Sequence, residues 1–242
     1  MTARVLRFPS DDALVEDAAS MLLNHLVQRQ EHQAQVHLCL TGGRIANRIY
    51  AAFAQLAAER DFDASTLHLW WGDEHFVGTT DPERNALQSL ALLARSLQLK
   101  SAQIHPMPAS DGNADPDESA FTYAQELGDT IFDLCLLGMG PDGHVASIFP
   151  HHPSSEPTTL SVIGVTEAPK PPAERISLSV ATINRSRSVW LWVNGSEKAD
   201  AVARALSGDE ELPAAVVSGV ESTLWFLDEC AAELLPRHRC EV

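Results

Sequence analysis

The sequence predicts an α/β fold, a doubly wound and mainly parallel sheet with helices on both faces. Three observations carry this expectation. Short apolar runs of strand length alternate with segments of helical period along the 242 residues. The run 132–137 (FDLCLL) has no charge after Asp133, as expected of a central strand covered on both faces. That run passes into LLGMGPDGHVASIFP (136–150), where three glycines, Asp142 and His144 follow abruptly. An open α/β sheet presents polar chemistry in this way, beyond the C-terminal ends of its strands.

The elements follow in order. Residues 4–8 read as a first strand. Ser10 then caps a helix whose first turn holds Asp11 and Asp12, with Leu14, Ala18, Leu22 and Leu26 on one face. A strand at 36–40 leads into a helix at 45–58, where Ile45, Ile49, Phe53 and Leu56 share a face. Next come a strand at 66–71, a helix at 85–97, a helix at 117–127 and the 132–137 strand. Glycines 138, 140 and 143 permit the turn that follows, and a helix start at 144–149 would direct free N–H groups and a positive dipole end at a ligand. That dipole would hold His144 neutral and able to accept a proton. Strands at 161–166, 175–180 and 188–193, a helix at 196–206, a strand at 224–227 and a closing helix at 228–235 complete the chain. The proline-rich stretches 150–157 and 169–172 read as ordered loops flanking the site, so residues 1–242 are expected to form a single domain.

Composition narrows the partners. A formal net charge of −16, from 17 Lys+Arg against 33 Asp+Glu, disfavours nucleic acid and anionic membrane, which need a basic footprint. If the ligand is an anion, its cations must be few and local. Cys39 and Cys135 lie in strand-like runs, and Cys230 and Cys240 have no zinc-like spacing, so all four read as core thiols in a reducing cytoplasm. No charged-then-apolar leader opens the sequence, and no apolar stretch approaches the ~20 residues of a membrane span. No metal site is expected, since HExxH is absent and the adjacent His151 and His152 read as solvated loop residues.

Three strand ends place polar groups together. In Thr41-Gly42-Gly43-Arg44 the glycines allow close backbone approach to a phosphate and Thr41 offers a hydroxyl, while Arg44 sits in a first helical turn, where a cation is unfavourable unless an anion is present. Gly195-Ser196-Glu197-Lys198 repeats that arrangement with Ser196 as cap, and one bound phosphate would relieve both. Lys198 is the leading phosphate ligand. The third, Trp70-Trp71-Gly72-Asp73-Glu74-His75, ends a strand in two carboxylates and a histidine, at least one acid being structural. Arg84 and Asn85 can face the site or lock their loop. No GxSxG elbow supports a serine nucleophile.

In this order the segments resemble the 6-phosphogluconolactonase family, within the wider group that includes glucosamine-6-phosphate deaminases. LGMGPDGHVASIFP, WWGDEHFVGTTDPERN and EAPKPPAERISLSVATIN resemble its three motifs, and VNGSEKADAV and the segment 212–235 also fit, so the likeness spans about 38–235. The resemblance implies a Rossmann-like sheet and hydrolysis of 6-phospho-D-glucono-1,5-lactone, the second step of the oxidative pentose phosphate pathway, without metal or organic cofactor, by a monomer or small homo-oligomer. It implies His144 as the general base that activates water and Asp142 as the residue orienting His144 or the substrate hydroxyls. Thr41, Gly42, Gly43, Arg44 and Lys198 would hold the phosphate, with Asp73, His75 and Arg84 also contacting substrate. Two departures stand out. The usual Ser-Gly-Gly-Ser-Thr-Pro-like loop reads Thr41-Gly42-Gly43-Arg44-Ile45-Ala46, and His75 replaces the usual arginine, a loss for which Arg44 would compensate. The nearest rival, a deaminase, typically follows DGH with a Phe-Asn-Glu-Pro-like segment; here Ala146-Ser147-Ile148-Phe149-Pro150 supplies no acid. A catalytically weakened sugar-phosphate-binding protein is the third reading.

Overall fold

Along each central strand, side chains alternate between two separate cores, which is what a sheet buried on both faces requires. Leu38 and Leu40 enter one core and Cys39 the other; Leu134 and Leu136 join the first, Cys135 and Leu137 the second. The computed structural model describes residues 3–112 and 115–236. The first half contains β1 (Arg4–Phe8), α1 (Asp11–Gln30), β2 (Val36–Leu40), α2 (Arg44–Glu59), β3 (Leu67–Trp71), β4 (Asp73–His75), α3 (Asn85–Leu93), β5 (Ile104–His105) and α4 (Pro116–Leu127). The second contains β6 (Leu134–Gly138), β7 (Val162–Val165), β8 (Arg175–Leu178), α5 (Val180–Ile183), β9 (Ser188–Val193), α6 (Ala199–Leu206), α7 (Pro213–Val216) and β10 (Ser222–Asp228).

Seven strands form one sheet in the order β1-β10-β9-β6-β2-β3-β5, and its paired strands run parallel. The connection order reverses between β2 and β6, the point at which an open α/β sheet parts its loops and leaves a crevice. One core packs α1, α2 and α3 against the sheet, through residues such as Leu22, Leu26, Ile49, Phe53 and Leu93; the other lies beneath α4, α6 and α7. Ser10 caps α1 as expected, its hydroxyl accepting the Ala13 N–H at 3.2 Å.

Four expectations change. The strands β7 and β8 leave the main sheet and pair antiparallel with β4 in a second sheet, ordered β4-β8-β7. It is tied to the first where the Leu178 N–H donates to the Gly72 carbonyl at 2.9 Å. Residues 144–149 are not a helix: Ala146 has φ +49°, and Val145 and Ile148 form an isolated bridge, so the chain turns instead of winding. After β10 the chain makes turns, not the closing helix, because Asp228 accepts the Ala231 N–H at 2.7 Å and curls the backbone there. Cys39 and Cys135 are fully buried thiols, but Cys230 is exposed on that turn, and Cys240 lies outside the described residues.

Candidate active site

Four neighbouring strands, β9, β6, β2 and β3, end at one cavity of about 780 Å³. Each contributes a loop whose geometry follows from its sequence. At the end of β2 the Thr41 N–H donates to the Tyr50 hydroxyl (3.0 Å), which donates back to the Thr41 carbonyl (2.9 Å). The loop is thereby fastened to the helix it begins. Thr41 Oγ1 accepts the Gly138 N–H at 3.2 Å, joining the loops after β2 and β6. Gly42 is required by space, since a Cβ there would fall 1.9 Å from Asn85 Oδ1; Gly43 is required by conformation, at φ +102°. Arg44 opens α2 with its side chain exposed along the cavity, so an expected cation does occupy a first helical turn.

After β6, the Gly140 N–H donates to the His144 carbonyl and the Gly143 N–H to the Gly140 carbonyl, both at 3.0 Å. This tight loop sets His144 Nδ1 2.5 Å from Asp142 Oδ1. A side chain at Gly140 would enter the imidazole, its Cβ 2.1 Å from Cε1. Burial by itself would raise the Asp142 pKa. The hydrogen bond from His144, its charge and that of Lys170 outweigh burial and hold the carboxyl well below the usual carboxylate range. An ionised carboxylate only accepts, so Nδ1 carries a proton toward Asp142, and in the neutral imidazole Nε2 is the nitrogen left with a lone pair. With no helix at 144–149, Asp142 and not a helix end orients the imidazole.

Asp73 lines the cavity, its carboxylate accepting the Ser147 hydroxyl at 2.8 Å. Its neighbour Glu74 is the structural acid. Fully buried, it accepts the N–H groups of Asn85 (2.7 Å) and Ala86 (2.9 Å), capping α3. Burial pushes the Glu74 pKa up to about 7, against the pull of Arg84 and those amides. Arg84 is a correction: it does not line the cavity. Its guanidinium lies 3.6 Å from Glu74 and donates to the Met107 carbonyl at 2.6 Å, so it locks the loop. His75 does line the cavity, half-buried, and its Nδ1 is buried without a hydrogen-bond partner. Burial first, then the Arg175 charge, lowers the His75 pKa.

At the end of β9 the Gly195 N–H donates to Asp228, and Gly195 takes φ +98°. Ser196 opens a single 3₁₀ turn without capping it, since Gly195 occupies the cap position. Lys198 ends that turn at the cavity wall. Burial lowers its pKa, with Arg44 and Lys170 adding to that effect and Glu197 and Asp228 opposing it.

The sequence reading missed Lys170, Arg175, Asn194 and Trp192, all of which line the cavity. Lys170 sits in the proline-rich loop expected to flank the site. Arg175 reaches it only because β8 pairs with β4, which sets Arg175 opposite His75. Its guanidinium lies 5.6 Å from the Phe149 ring centroid. Among the described residues, no three His, Cys, Asp or Glu side chains converge as metal ligands.

The arrangement offers a carboxylate-oriented base beside several cations, suited to activating water against an anionic substrate. Residues 9–225 match the family described as glucosamine-6-phosphate isomerases/6-phosphogluconolactonase. The 6-phosphogluconolactonase of Streptomyces coelicolor is 45% identical over 240 residues, covering 93% of this chain and 92% of that protein. That of Mycobacterium tuberculosis is 41% identical over 98% of this chain and the whole of its own. The crystal structure of a Thermotoga maritima 6-phosphogluconolactonase superposes with a TM-score of 0.84 at 25% identity, covering 94% of this chain and all of that one.

Proposed function

The chain belongs to the glucosamine-6-phosphate isomerase/6-phosphogluconolactonase family, and on that premise we propose that it hydrolyses 6-phospho-D-glucono-1,5-lactone to 6-phospho-D-gluconate in the oxidative pentose phosphate pathway. The observation that carries this is the Asp142–His144 pair, 2.5 Å apart at the mouth of a cavity walled by Arg44, Lys170 and Lys198.

In the proposed mechanism His144 Nε2 removes a proton from water as the water oxygen bonds to the lactone carbonyl carbon. The carbonyl electron pair moves onto its oxygen. When that tetrahedral centre collapses, the bond to the ring oxygen breaks, and the imidazolium returns its proton to that oxygen. The acid formed ionises to the carboxylate. Asp142 holds the imidazole tautomer and balances the imidazolium, and a positioned general base of this kind contributes on the order of 10²–10⁴-fold. The Thr41–Gly43 loop, Arg44 and Lys198 hold the phosphate, whose binding fixes the reacting carbon over the base. Asp73 and His75 read the sugar hydroxyls. Every step uses a side chain of this chain.

The reading treats 1–242 as one catalytic domain, acting as a monomer or small homo-oligomer in the cytoplasm. The adjacent free thiols Cys39 and Cys135 support a reducing compartment, and no helix among the described residues is long and apolar enough to cross a membrane. The test generates the lactone in situ and follows its loss against spontaneous hydrolysis, with glucosamine 6-phosphate assayed in parallel for ammonia. Accelerated lactone loss without ammonia is expected. Ammonia release would transfer the chemistry to Asp73 and a deaminase. Binding of sugar phosphate with neither activity would leave a binding protein.

A further inference from the structure

Ester hydrolysis places negative charge on the carbonyl oxygen, and a cation already committed to protein partners stabilises that charge poorly. Five cations line the cavity: Arg44, Arg48, Lys170, Arg175 and Lys198. Arg48 is held by Asp11 at 2.6 Å and also by Asp12. Arg175 is tied to backbone through two of its three nitrogens, its Nε donating to the Pro172 carbonyl (3.0 Å) and its Nη2 to those of Lys170 (3.1 Å) and Pro171 (3.2 Å), which turns it toward its own loop. Arg44 and Lys198 stand at the starts of α2 and α6, beside the glycine-bearing turns that suit a phosphate.

Lys170 remains. Its Nζ lies 3.4 Å from both Asp142 Oδ1 and His144 Nδ1. An ammonium cannot accept, and the proton on Nδ1 is directed at Asp142, so the contact with Nδ1 is proximity and not a hydrogen bond. The contact with Asp142 is long beside the ~2.7–2.9 Å of a charge-assisted bond. Lys170 therefore keeps unmatched donors beside the base, its pairing with Asp142 being long. Its backbone carbonyl is gripped by Arg175, which fixes where that charge stands.

We propose that Lys170 is a further catalytic residue of the lactonase reaction proposed above, its ammonium donating to the lactone carbonyl oxygen as that oxygen becomes an oxyanion. The inference rests on that reading. Lys170 bonds covalently to nothing and gives up no proton: it meets the charge as water adds, and releases the carboxylate after the ring oxygen leaves. Arg175 is the positioning residue that holds the lysine loop.

The experiment compares wild-type enzyme with Lys170→Met and Lys170→Arg, measuring kcat and KM for the lactone generated in situ and the affinity for glucose 6-phosphate, which has the phosphate but no lactone carbonyl. The Lys170 side chain is 41% exposed, so the variants are expected to fold, and thermal melts check this. Lys170→Met should lose on the order of 10²-fold in kcat. KM and glucose 6-phosphate affinity should stay within about 3-fold, and Lys170→Arg should recover part of the loss. A kcat unchanged in Lys170→Met overturns the proposal, as does a loss confined to KM and glucose 6-phosphate affinity, which would make Lys170 a phosphate ligand. A Lys170→Met rate restored to wild type on raising the pH between about 6 and 8 also overturns it, since the lysine would then only tune His144. If wild-type enzyme fails to exceed spontaneous hydrolysis, the lactonase reading itself falls and the lysine's role with it.

Discussion

Gly42 and Asn85 occupy one another's space: a β-carbon on Gly42 would lie 1.9 Å from Asn85 Oδ1, while Asn85 Nδ2 donates to the Asp73 carbonyl at 3.1 Å. The loop after β2 and the strand end after β3 therefore fit through a side chain on α3, and the phosphate loop keeps its place only while position 42 lacks a side chain. Gly42→Ala is expected to raise KM by about 10-fold by displacing Asn85. Adding Asn85→Ala removes the obstruction and should recover part of that loss, so the two changes are non-additive in a double-mutant cycle. Equal and additive losses would mean that the contact does not govern the loop.

His144→Ala should lower kcat by on the order of 10²–10⁴-fold with little change in KM, since the base acts on water and not on the phosphate. Asp142→Asn keeps the shape but loses the charge that sets the tautomer and balances the imidazolium, and is expected to lose kcat as well. Steady-state kinetics on both variants check this. A His144→Ala enzyme with near-wild-type turnover would exclude the assigned base.

Arg44→Ala is expected to raise KM by about 10-fold and leave kcat within about 2-fold, because a phosphate ligand remote from the carbonyl contributes the same binding in ground and transition states. His75→Ala should raise KM by less, about 3-fold, since a neutral imidazole donates or accepts one hydrogen bond and carries no charge. An unchanged KM in Arg44→Ala would remove it from the site and end the idea that it compensates for His75.

Arg175→Lys preserves charge but not the fork that grips three successive carbonyls, and lysine cannot reproduce those donors in one plane. Release of residues 170–172 should lower kcat by about 10-fold, and hydrogen exchange of the Ala168 N–H, which closes the loop by donating to the Ala173 carbonyl at 3.0 Å, should accelerate. Unchanged exchange would show that the prolines alone hold it.

Glu74 gives a pH dependence of stability. Its folded pKa is raised to about 7, above the ~4.3 of an unfolded glutamate, so the folded state holds the proton more tightly. The stabilisation is complete below the unfolded value and is lost as pH rises from about 4.3 through about 7. Wild-type Tm should fall across that window by on the order of 10 °C from this group. Glu74→Gln should flatten the fall, and calorimetric melts at intervals across the window check it.

The local geometry of the candidate site was legible in the sequence where the turn is closed by its own bonds. Gly138–His144 could be recognised as a strand-end turn carrying Asp142 and His144 because its turn bonds, Gly140 N–H to His144 carbonyl and Gly143 N–H to Gly140 carbonyl, close within the segment, although Gly138 and Gly143 also meet Thr41 and Leu212 from distant elements. The helix assigned to 144–149 failed because the apolar run Val145, Ala146, Ile148, Phe149 is buried by a turn, and apolar content alone does not separate the two. Arg84 was misassigned because its partner Glu74 is ten residues away, so sequence gave no sign of the buried ion pair that removes it from the cavity.

By itself, then, the amino-acid sequence determined the alternation of strands and helices, the two-faced burial of the central strands and the turn that carries Asp142 and His144. The alternation and the burial follow from periodicity, and the Asp142–His144 turn from neighbours within a few residues. Tertiary structure alone decided that β7 and β8 leave the main sheet to pair with β4. That antiparallel register brings Arg175 across from His75, and Arg175 in turn holds Lys170 beside His144. Strand pairing is a relation between segments about a hundred residues apart, set by which faces bury together, and no local pattern in β4 or β8 names its partner.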